Sequence, residues 1–588
     1  MSIRETLTKQ LASAVSALQF PTDKVNVTVV ADPKHGDYAS NIAMILAKQL
    51  KKNPLEVAQH IVTKLQELSS DFTVEVVKPG FINFFMKDEV LFAQVQHPSD
   101  NSEAQNKKIM IEFAHPNTHK AFHIGHLRNI TTGEAIVRLI EAVGNKVIRV
   151  NYQGDVGMHI AKAMYALTSL VPYNEQVHGV TGIIDRVTFL GKAYAAGSAA
   201  YEEDEEAKKK IQDYNYLVYA SAQRFQEEKG IAKSSTDYLS FVYGRTEEVD
   251  VVYELWKETR QWSLDYFEQI YKRVGTHYDR YYFESECLKG VDLAKEAVTK
   301  KVLEESNGAI VFKGEQYGLD TRVFVNSLGL PTYEAKELGL AEKELSEFGE
   351  LDNIIHVVGP EQASFFQVTF KVEELLGMQK GQQEHLAYGW VKLKHGKMSS
   401  RTGNVVLGEW LLNEAKSKIL ETYPAIAEGV ADAIAVGAIK YSFLRVGTTQ
   451  EIAFDFDESI NMQGNSGPYL QYTYARTQSV LHKSKMANGK WQMTNTSVDL
   501  EPEERELLRL LAQFTEIIET AATKYAPNVL CTYLFELAQS FNGFYQKCPI
   551  IKAESPSVRA TRLFLTAKTG DTIKQGLHLL GIQAPEKM

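Results

Sequence analysis

The chain has 588 residues, 44% of them hydrophobic and 23% charged, with a formal net charge of −10. At roughly 100–200 residues per domain that length allows about three or four domains, and the charge excludes a wholly basic nucleic-acid coat protein while leaving room for a local basic groove. Three scattered cysteines, Cys287, Cys531 and Cys548, exclude a disulfide framework or a cysteine-pair zinc site and fit a reducing, cytoplasmic setting; no apolar run reaches the roughly 18–20 residues of a membrane span, so no membrane is expected.

From the N-terminus, Leu7, Leu11, Val15 and Leu18 line one face of a helix predicted over 3–18. Glu5 and the lack of an uninterrupted apolar core make it a domain's first helix rather than a signal peptide. VNVTVVA, a helix in PKHGDYASNIAMILAKQL and the closing strand GFINFFM complete a small α/β unit over 1–92. HPSDNSEAQNKK (97–108) reads as a linker, without apolar periodicity and rich in turn-formers. KIMIEF is a predicted strand. A helix is predicted over 126–143, with Leu127, Ile130, Ile136, Leu139, Ile140 and Val143 at 3-and-4 spacing and Gly144 as its stop. KVIRVNY follows as a second strand. Strand, helix, strand within about 45 residues is a βαβ unit and implies a parallel sheet.

Residues of about 165–275 read as a largely helical insertion, in which the charge block EEDEEAKKK (202–210) is a solvated helix face. Strand-like GAIVF, RVFVN and NIIHVVG from about 305 predict that the sheet resumes. A helical connection is placed at 411–455. Beyond it, ERELLRLLAQFTEIIETAATKYA, VLCTYLFELAQSFNGFYQKC and the segment near 559–580 predict an all-helical domain over 456–588.

HPNTHKAFHIGH (115–126) packs four histidines, at 115, 119, 123 and 126, into the strand-to-helix turn. A metal site, a phosphate site and a histidine-rich surface are the alternatives. His115, His119 and His123 have i, i+4 spacing, but Pro116 breaks the segment and no carboxylate or cysteine is set beside them, so no metal is expected. A phosphate fits the first βα turn of a parallel sheet, where a helix N-terminus offers free N–H groups. His123 and His126 supply donors, and Gly125 lets a flat ring approach the backbone. A histidine at a helix start can also be a simple cap. GWVKLKHGKMSSRTGNVV (389–406) adds a second candidate: Lys397, Met398, Ser399 and Ser400, flanked by Gly396 and Gly403, have the composition of a mobile phosphate clamp.

HIGH followed much later by KMSS resembles the class I aminoacyl-tRNA synthetases. IEFAHPNTHKAFHIGHLRN, NYQGDVGMHIAKA, PTYEAKELGL, GKMSSRTGN and GNSGPYLQYTYAR together resemble the arginyl-tRNA synthetases of the bacterial type. PKHGDYASNIA and PGFINF resemble that family's N-terminal domain, SFNGFYQ and LLGIQAPEKM its helical anticodon-binding domain. The resemblance implies an α/β multidomain chain: a small α/β N-terminal, tRNA-contacting domain (1–92), a Rossmann-type parallel-sheet catalytic domain (108–410) with helical insertions, and a C-terminal anticodon-binding domain (456–588). It implies activation of arginine by ATP, dependent on tRNA, and transfer to the 2′-hydroxyl of the terminal adenosine.

Carried onto this sequence, His123 and His126 match the histidines on the α-phosphate, with Gly125 between them, and Lys397, Met398, Ser399 and Ser400 match the triphosphate clamp. Ser400 stands where the general pattern has a second lysine; Lys120 resembles the lysine that compensates in family members with that loss. Glu112, Asn117, His126, Tyr333, Glu337 and Gln362 match arginine ligands, since a guanidinium wants carboxylates that accept its fork of donors. Aspartate is common where Glu337 stands. Tyr333 and Glu337, four apart, share a helix face.

For the anticodon, unstacked bases want aromatic platforms. Tyr469, Tyr472, Tyr474, Phe541, Phe544 and Tyr545, with Asn542 and Gln546 interleaved, are the candidates, about a third of the aromatics facing RNA and the rest forming core; Arg476, Lys483 and Lys485 are candidate phosphate contacts. Magnesium is expected with ATP, held by phosphates and water, and no prosthetic group; nothing calls for a dimer, so a monomer is expected. The rival readings are a non-catalytic tRNA-binding paralogue, a small-molecule nucleotidyltransferase, which gives the helical domain no purpose, and a sister synthetase for cysteine or glutamate.

Overall fold

Ile109, Met110 and Ile111 are buried in succession, as a strand covered on both faces requires. In the computed structural model, which describes all residues except 31, 99–105, 232–233, 379–380, 395–405 and 485–498, they form β1 (Lys108–Glu112). The sheet continues with β2 (Lys146–Gln153), β3 (Arg280–Phe283), β4 (Asn353–Val358) and β5 (Gln382–Ala387). All pairs are parallel and the order is β5-β4-β1-β2-β3. The winding reverses between β1 and β4, the switch point beyond whose carboxyl ends ligands bind.

Helix α1 (Ile124–Ala142) joins β1 to β2. It starts two residues earlier than the apolar spacing suggests, because His123 caps it, and Gly144 beyond its end takes φ 86°. Nearly the whole helix is buried, polar Arg128, Asn129 and Glu134 included. The insertion is helical: Met158–Ser169, Ile183–Glu203, Glu205–Lys229 and α2 (Thr246–Val274), around a core containing Tyr238, Tyr253 and Trp256. In EEDEEAKKK, Asp204 caps the second long helix, and Lys208–Glu205 and Lys210–Glu206 pair on its solvent face.

One expectation fails. GAIVF and RVFVN do not rejoin the parallel sheet; Ala309–Phe312 and Arg322–Val325 form a separate three-stranded antiparallel sheet with Glu304–Ser306. The parallel sheet resumes earlier, at β3, and again with NIIHVVG as β4. Short apolar runs carry no information about their partner strand, and the antiparallel pair here is joined by a local turn.

After β4 and β5 come α4 (Glu428–Leu444), α5 (Gly467–Lys483), the helices Pro502–Ala512 and Phe514–Thr523, α6 (Pro527–Lys547) and α7 (Pro556–Leu579). The run ERELLRLLAQFTEIIETAATKYA, 504–526, expected as one helix, is thus two, broken at Gln513. Between β3 and β4 lies α3 (Tyr333–Phe348). At the N-terminus the helix Ile3–Ala17, capped by a reciprocal Ser2–Glu5 box, packs on the helix Pro54–Leu68, which lies against a four-stranded antiparallel sheet. That unit docks on the helical domain through Arg505–Asp37 at 2.9 Å and the Tyr38 hydroxyl, which donates to Glu516 at 3.2 Å. Buried Lys440 on α4 donates to the carbonyls of Val274 and Gly581, tying the C-terminal segment to α2. No helix among the described residues is long and apolar enough to cross a membrane.

Candidate active site

The turn from β1 to α1 is strained. Ala114, His115 and His119 take φ of 86°, 49° and 61°, a region that side chains with a Cβ rarely occupy and that clusters at functional sites. The contortion sends the four histidines to three destinations.

His119 is structural. It is buried, with one ring nitrogen 3.0 Å from the Thr118 hydroxyl and the other 2.7 Å from the Thr259 hydroxyl on α2. Burial, and then the nearby Arg260 charge, push it down to about 3.

His123 and His126 form a reciprocal capping box. His123 Nδ1 accepts the Gly125 N–H and His126 Nδ1 accepts the His123 N–H, each at 3.1 Å. The rings stack with centroids 3.8 Å apart. Desolvation, followed by the charge of Lys120, lowers His123 to about 4; desolvation, His123, His115 and Lys120 lower His126 well below its ordinary value. Both rings are therefore neutral at pH 7, with the proton on Nε2, since Nδ1 is an acceptor in each. Two N–H donors result, side by side at a helix N-terminus. The capping reading and the phosphate reading are compatible, because the cap uses only Nδ1. A Cβ on Gly125 would lie 2.9 Å from the His123 ring.

His115 turns the other way, its Nδ1 3.5 Å from Glu112 Oε1. Glu112 ends β1 and stands directly opposite His356 on β4, whose Nδ1 is 2.9 Å from Glu112 Oε2. Glu337, on the second turn of α3, completes the group: ligand atoms of Glu112, Glu337 and His356 lie within 4.8 Å of one another, all three residues buried. Two acceptor-only carboxylates held this close suit a planar cation with many donors; the same donor types also suit a divalent cation. Sequence spacing did not reveal this group, since β1 and β4 are about 240 residues apart, and it gave His356 no role.

Tyr333 opens α3 and is 60% exposed, with Lys336 Nζ 4.5 Å from its ring centre. It shares the helix face with Glu337 but sits nearer solvent, on the wall of a cavity of about 440 Å³ that His159, Tyr194, Tyr219 and Lys336 also line. Lys120 Nζ lies 5.2 Å from the Tyr194 ring centre. Asn117 bridges to Gly154 beyond β2, so closely that a Cβ at Gly154 would meet Asn117 Oδ1 at 2.1 Å. Gln362 sits partly exposed in a turn four residues past β4. Lys397, Met398, Ser399 and Ser400 lie outside the described residues, as does Lys485.

In the helical domain, Tyr472 and Tyr545 are 37% and 43% exposed, and the Arg476 guanidinium lies between them, 4.8 and 5.3 Å from their ring centres. Arg476 donates to Asn542 Oδ1, and Asn542 Nδ2 donates to the Tyr469 hydroxyl at 2.8 Å. Tyr472, Arg476 and Tyr545, with Lys483 and Lys552, border a groove of about 1180 Å³. Gln546 is exposed beside Tyr545. Phe541 corrects the expectation: it is fully buried against Phe544 and Tyr545 and offers no face to a base. Phe544 and Tyr474 are core as well.

A 3-2-1-4-5 parallel sheet with paired imidazole donors at the switch point is the catalytic architecture of a class I aminoacyl-tRNA synthetase. Residues 88–456 match the family model described as tRNA synthetases class I (R), catalytic domain; residues 2–86 match the arginyl tRNA synthetase N terminal domain, and 470–588 the DALR anticodon binding domain. The chain is 31% identical to the arginine–tRNA ligase of Bdellovibrio bacteriovorus, over 96% of this chain and 95% of that one, and 30% identical to that of Flavobacterium psychrophilum over the full length of both. The structure of Thermus thermophilus arginyl-tRNA synthetase superposes with a TM-score of 0.77 at 25% identity, covering 100% of each chain. That of the Plasmodium falciparum enzyme, at 19% identity and TM-score 0.76, covers 100% of this chain and 99% of its own and shares the fold.

The chain belongs to the arginyl-tRNA synthetase family, ligases that join arginine to tRNA using ATP. Nothing in these matches favours a non-catalytic tRNA-binding paralogue.

Proposed function

We propose that this chain activates arginine to arginyl-adenylate in a step that requires bound tRNA, then passes the arginyl group to the 2′-hydroxyl of the terminal adenosine of arginine tRNA. The observation that carries the reading is the adjacency of two sites of opposite electrostatic demand. Buried Glu112 and Glu337 attract a cation; the neutral N–H donors of His123 and His126, one strand-to-helix turn away, attract phosphate oxygens.

Glu112 and Glu337 accept the guanidinium donors, and Tyr333 and Gln362 flank the side chain. Asn117 holds the main-chain end, so that the carboxylate faces the α-phosphate. The Nε2–H groups of His123 and His126 hydrogen-bond the α-phosphate oxygens as the phosphorus becomes five-coordinate, strongest where charge grows. Lys120 supplies a cation on the same side, with Lys397, Met398, Ser399 and Ser400 as the clamp on the leaving pyrophosphate. Magnesium accompanies the nucleotide, held by phosphates and water. No covalent enzyme intermediate is needed; positioning and charge stabilisation suffice.

The cavity that Tyr194 and Tyr333 line suits the terminal adenosine, whose base stacks on aromatics. Tyr469, Tyr472, Arg476, Asn542, Tyr545 and Gln546 meet the anticodon loop. The chain acts as a monomer in the cytoplasm, in keeping with three buried free cysteines.

The test is ATP–pyrophosphate exchange across all twenty amino acids, with and without tRNA. Exchange with arginine only, and only when tRNA is present, is expected. Exchange with another amino acid, or none with arginine, overturns the reading.

A further inference from the structure

We propose that His356 is a positioning residue for arginine: it aims the Glu112 carboxylate at the guanidinium and so sets the affinity for the amino acid without touching ATP. The inference rests on the reading of Glu112 and Glu337 as the guanidinium acceptors.

A lone glutamate at a strand end has three rotatable bonds and no fixed aim. Glu112 is instead caught on both oxygens, by His356 at 2.9 Å and His115 at 3.5 Å. His356 is held in its turn. Its Nε2 lies 3.3 Å from Gln383 Oε1 on β5, and Gln383 Nε2 donates to Glu373 at 2.7 Å, so the ring is bracketed on its far side as well. Phe366 and Phe370 pack on the imidazole at centroid distances of 4.8 and 5.3 Å. The ring is fully buried and cannot swing aside.

The support thus runs from β5 through β4 to the end of β1, across adjacent parallel strands. A fork of guanidinium donors needs its carboxylate oxygens at fixed positions to be met two at a time, and losing the aim loses the second contact. His356 makes none of its close contacts with the signature histidines or Lys120, so the nucleotide side is left alone.

The experiment is steady-state exchange with tRNA present, on His356→Phe, His356→Asn and Glu112→Gln. Phenylalanine keeps the packing on Phe366 and Phe370 and removes both polar contacts; asparagine restores a polar group near the Nδ1 position. His356→Phe is expected to raise the arginine KM by about ten- to a hundredfold, the scale of the guanidinium losing one of its two contacts to a misaimed carboxylate, with ATP KM and the melting temperature unchanged. His356→Asn is expected to recover most of that loss. The inference is overturned if His356→Phe leaves the arginine KM within about threefold of the parent, raises the ATP KM equally, or is matched by His356→Asn. If Glu112→Gln itself leaves the arginine KM untouched, the pocket reading has failed; if Glu112→Gln raises it and His356→Phe does not, only the role of His356 has.

Discussion

His123 and His126 stack 3.8 Å apart, and each gives its Nδ1 to a backbone N–H of the helix end that they cap. The helix start therefore dictates the tautomer: both rings must carry their proton on Nε2, aimed away from the backbone. In the proposed mechanism, removing either ring removes a donor preset for the transition state. His126→Ala is expected to lower the rate of arginine-dependent exchange by about 10²–10³-fold with little change in ATP KM. Gly125→Ala tests the same arrangement indirectly. Its methyl would stand 2.9 Å from the His123 ring, so a rate loss with an unchanged melting curve is expected; full activity in that variant would mean the ring has no fixed role.

Lys120 faces the same site from the turn and contributes to the depressed pKa of both signature histidines. In the proposed mechanism its cation offsets charge on phosphate. Lys120→Ala is expected to slow exchange by about 10–100-fold while the tRNA dissociation constant stays within about twofold. Equal losses in rate and in tRNA affinity would assign Lys120 to RNA binding instead.

How much of this was legible in the chain differs by residue. His123, Gly125 and His126 are neighbours in sequence, and the turn after the first predicted strand gave them a place and a chemistry. The βαβ unit gave the parallel sheet. His356 was invisible because its meaning comes from β4 lying against β1, a pairing of strands about 240 residues apart. GAIVF and RVFVN misled for the same reason: an apolar run declares a strand but not its sheet. Phe541 failed differently. Helical spacing put it beside Tyr545, and only the packing of α6 decides which of the two faces inward.

Glu337 is buried one turn below exposed Tyr333 on α3. Glu337→Asp keeps the charge and withdraws it by one methylene; Glu337→Gln keeps the length and removes the charge. If the carboxylate meets the guanidinium, both raise the arginine KM, Glu337→Gln by about tenfold or more, the cost of a lost charged hydrogen bond. An unchanged arginine KM in both, measured by exchange, would remove Glu337 from the pocket.

His119 carries a pH signature of the fold rather than of the chemistry. It is held near 3 in the folded chain against roughly 6.5 unfolded. Above pH 6.5 neither state is protonated and the full stability is present. As pH falls from there towards 3, the unfolded chain takes up a proton that the folded chain refuses, and stability is lost at up to about 1.4 kcal/mol per pH unit from this residue. His119→Gln, which cannot titrate, is expected to show a shallower fall between pH 6 and 4 in urea melts. Identical slopes would mean His119 is protonated in the fold.

Phe541 and Tyr545 lie one helical turn apart on α6 and should fail in opposite ways. Phe541 is fully buried, so truncating it opens a cavity: Phe541→Ala is expected to cost about 3–5 kcal/mol in unfolding free energy. Its tRNA affinity, measured where the variant is still folded, should match the parent. Tyr545 is 43% exposed and, with Tyr472, flanks the Arg476 guanidinium. Tyr545→Ala leaves the core intact, so its melting temperature should not move, while tRNA binding weakens by about 1–3 kcal/mol, the worth of one stacked base. Filter binding at two salt concentrations separates stacking from charge. The Tyr545→Ala loss should be the same at both, because stacking releases no counterions, whereas Lys483→Ala should matter less as salt rises. A Phe541→Ala variant that loses tRNA affinity while melting normally would reverse the assignment of these faces.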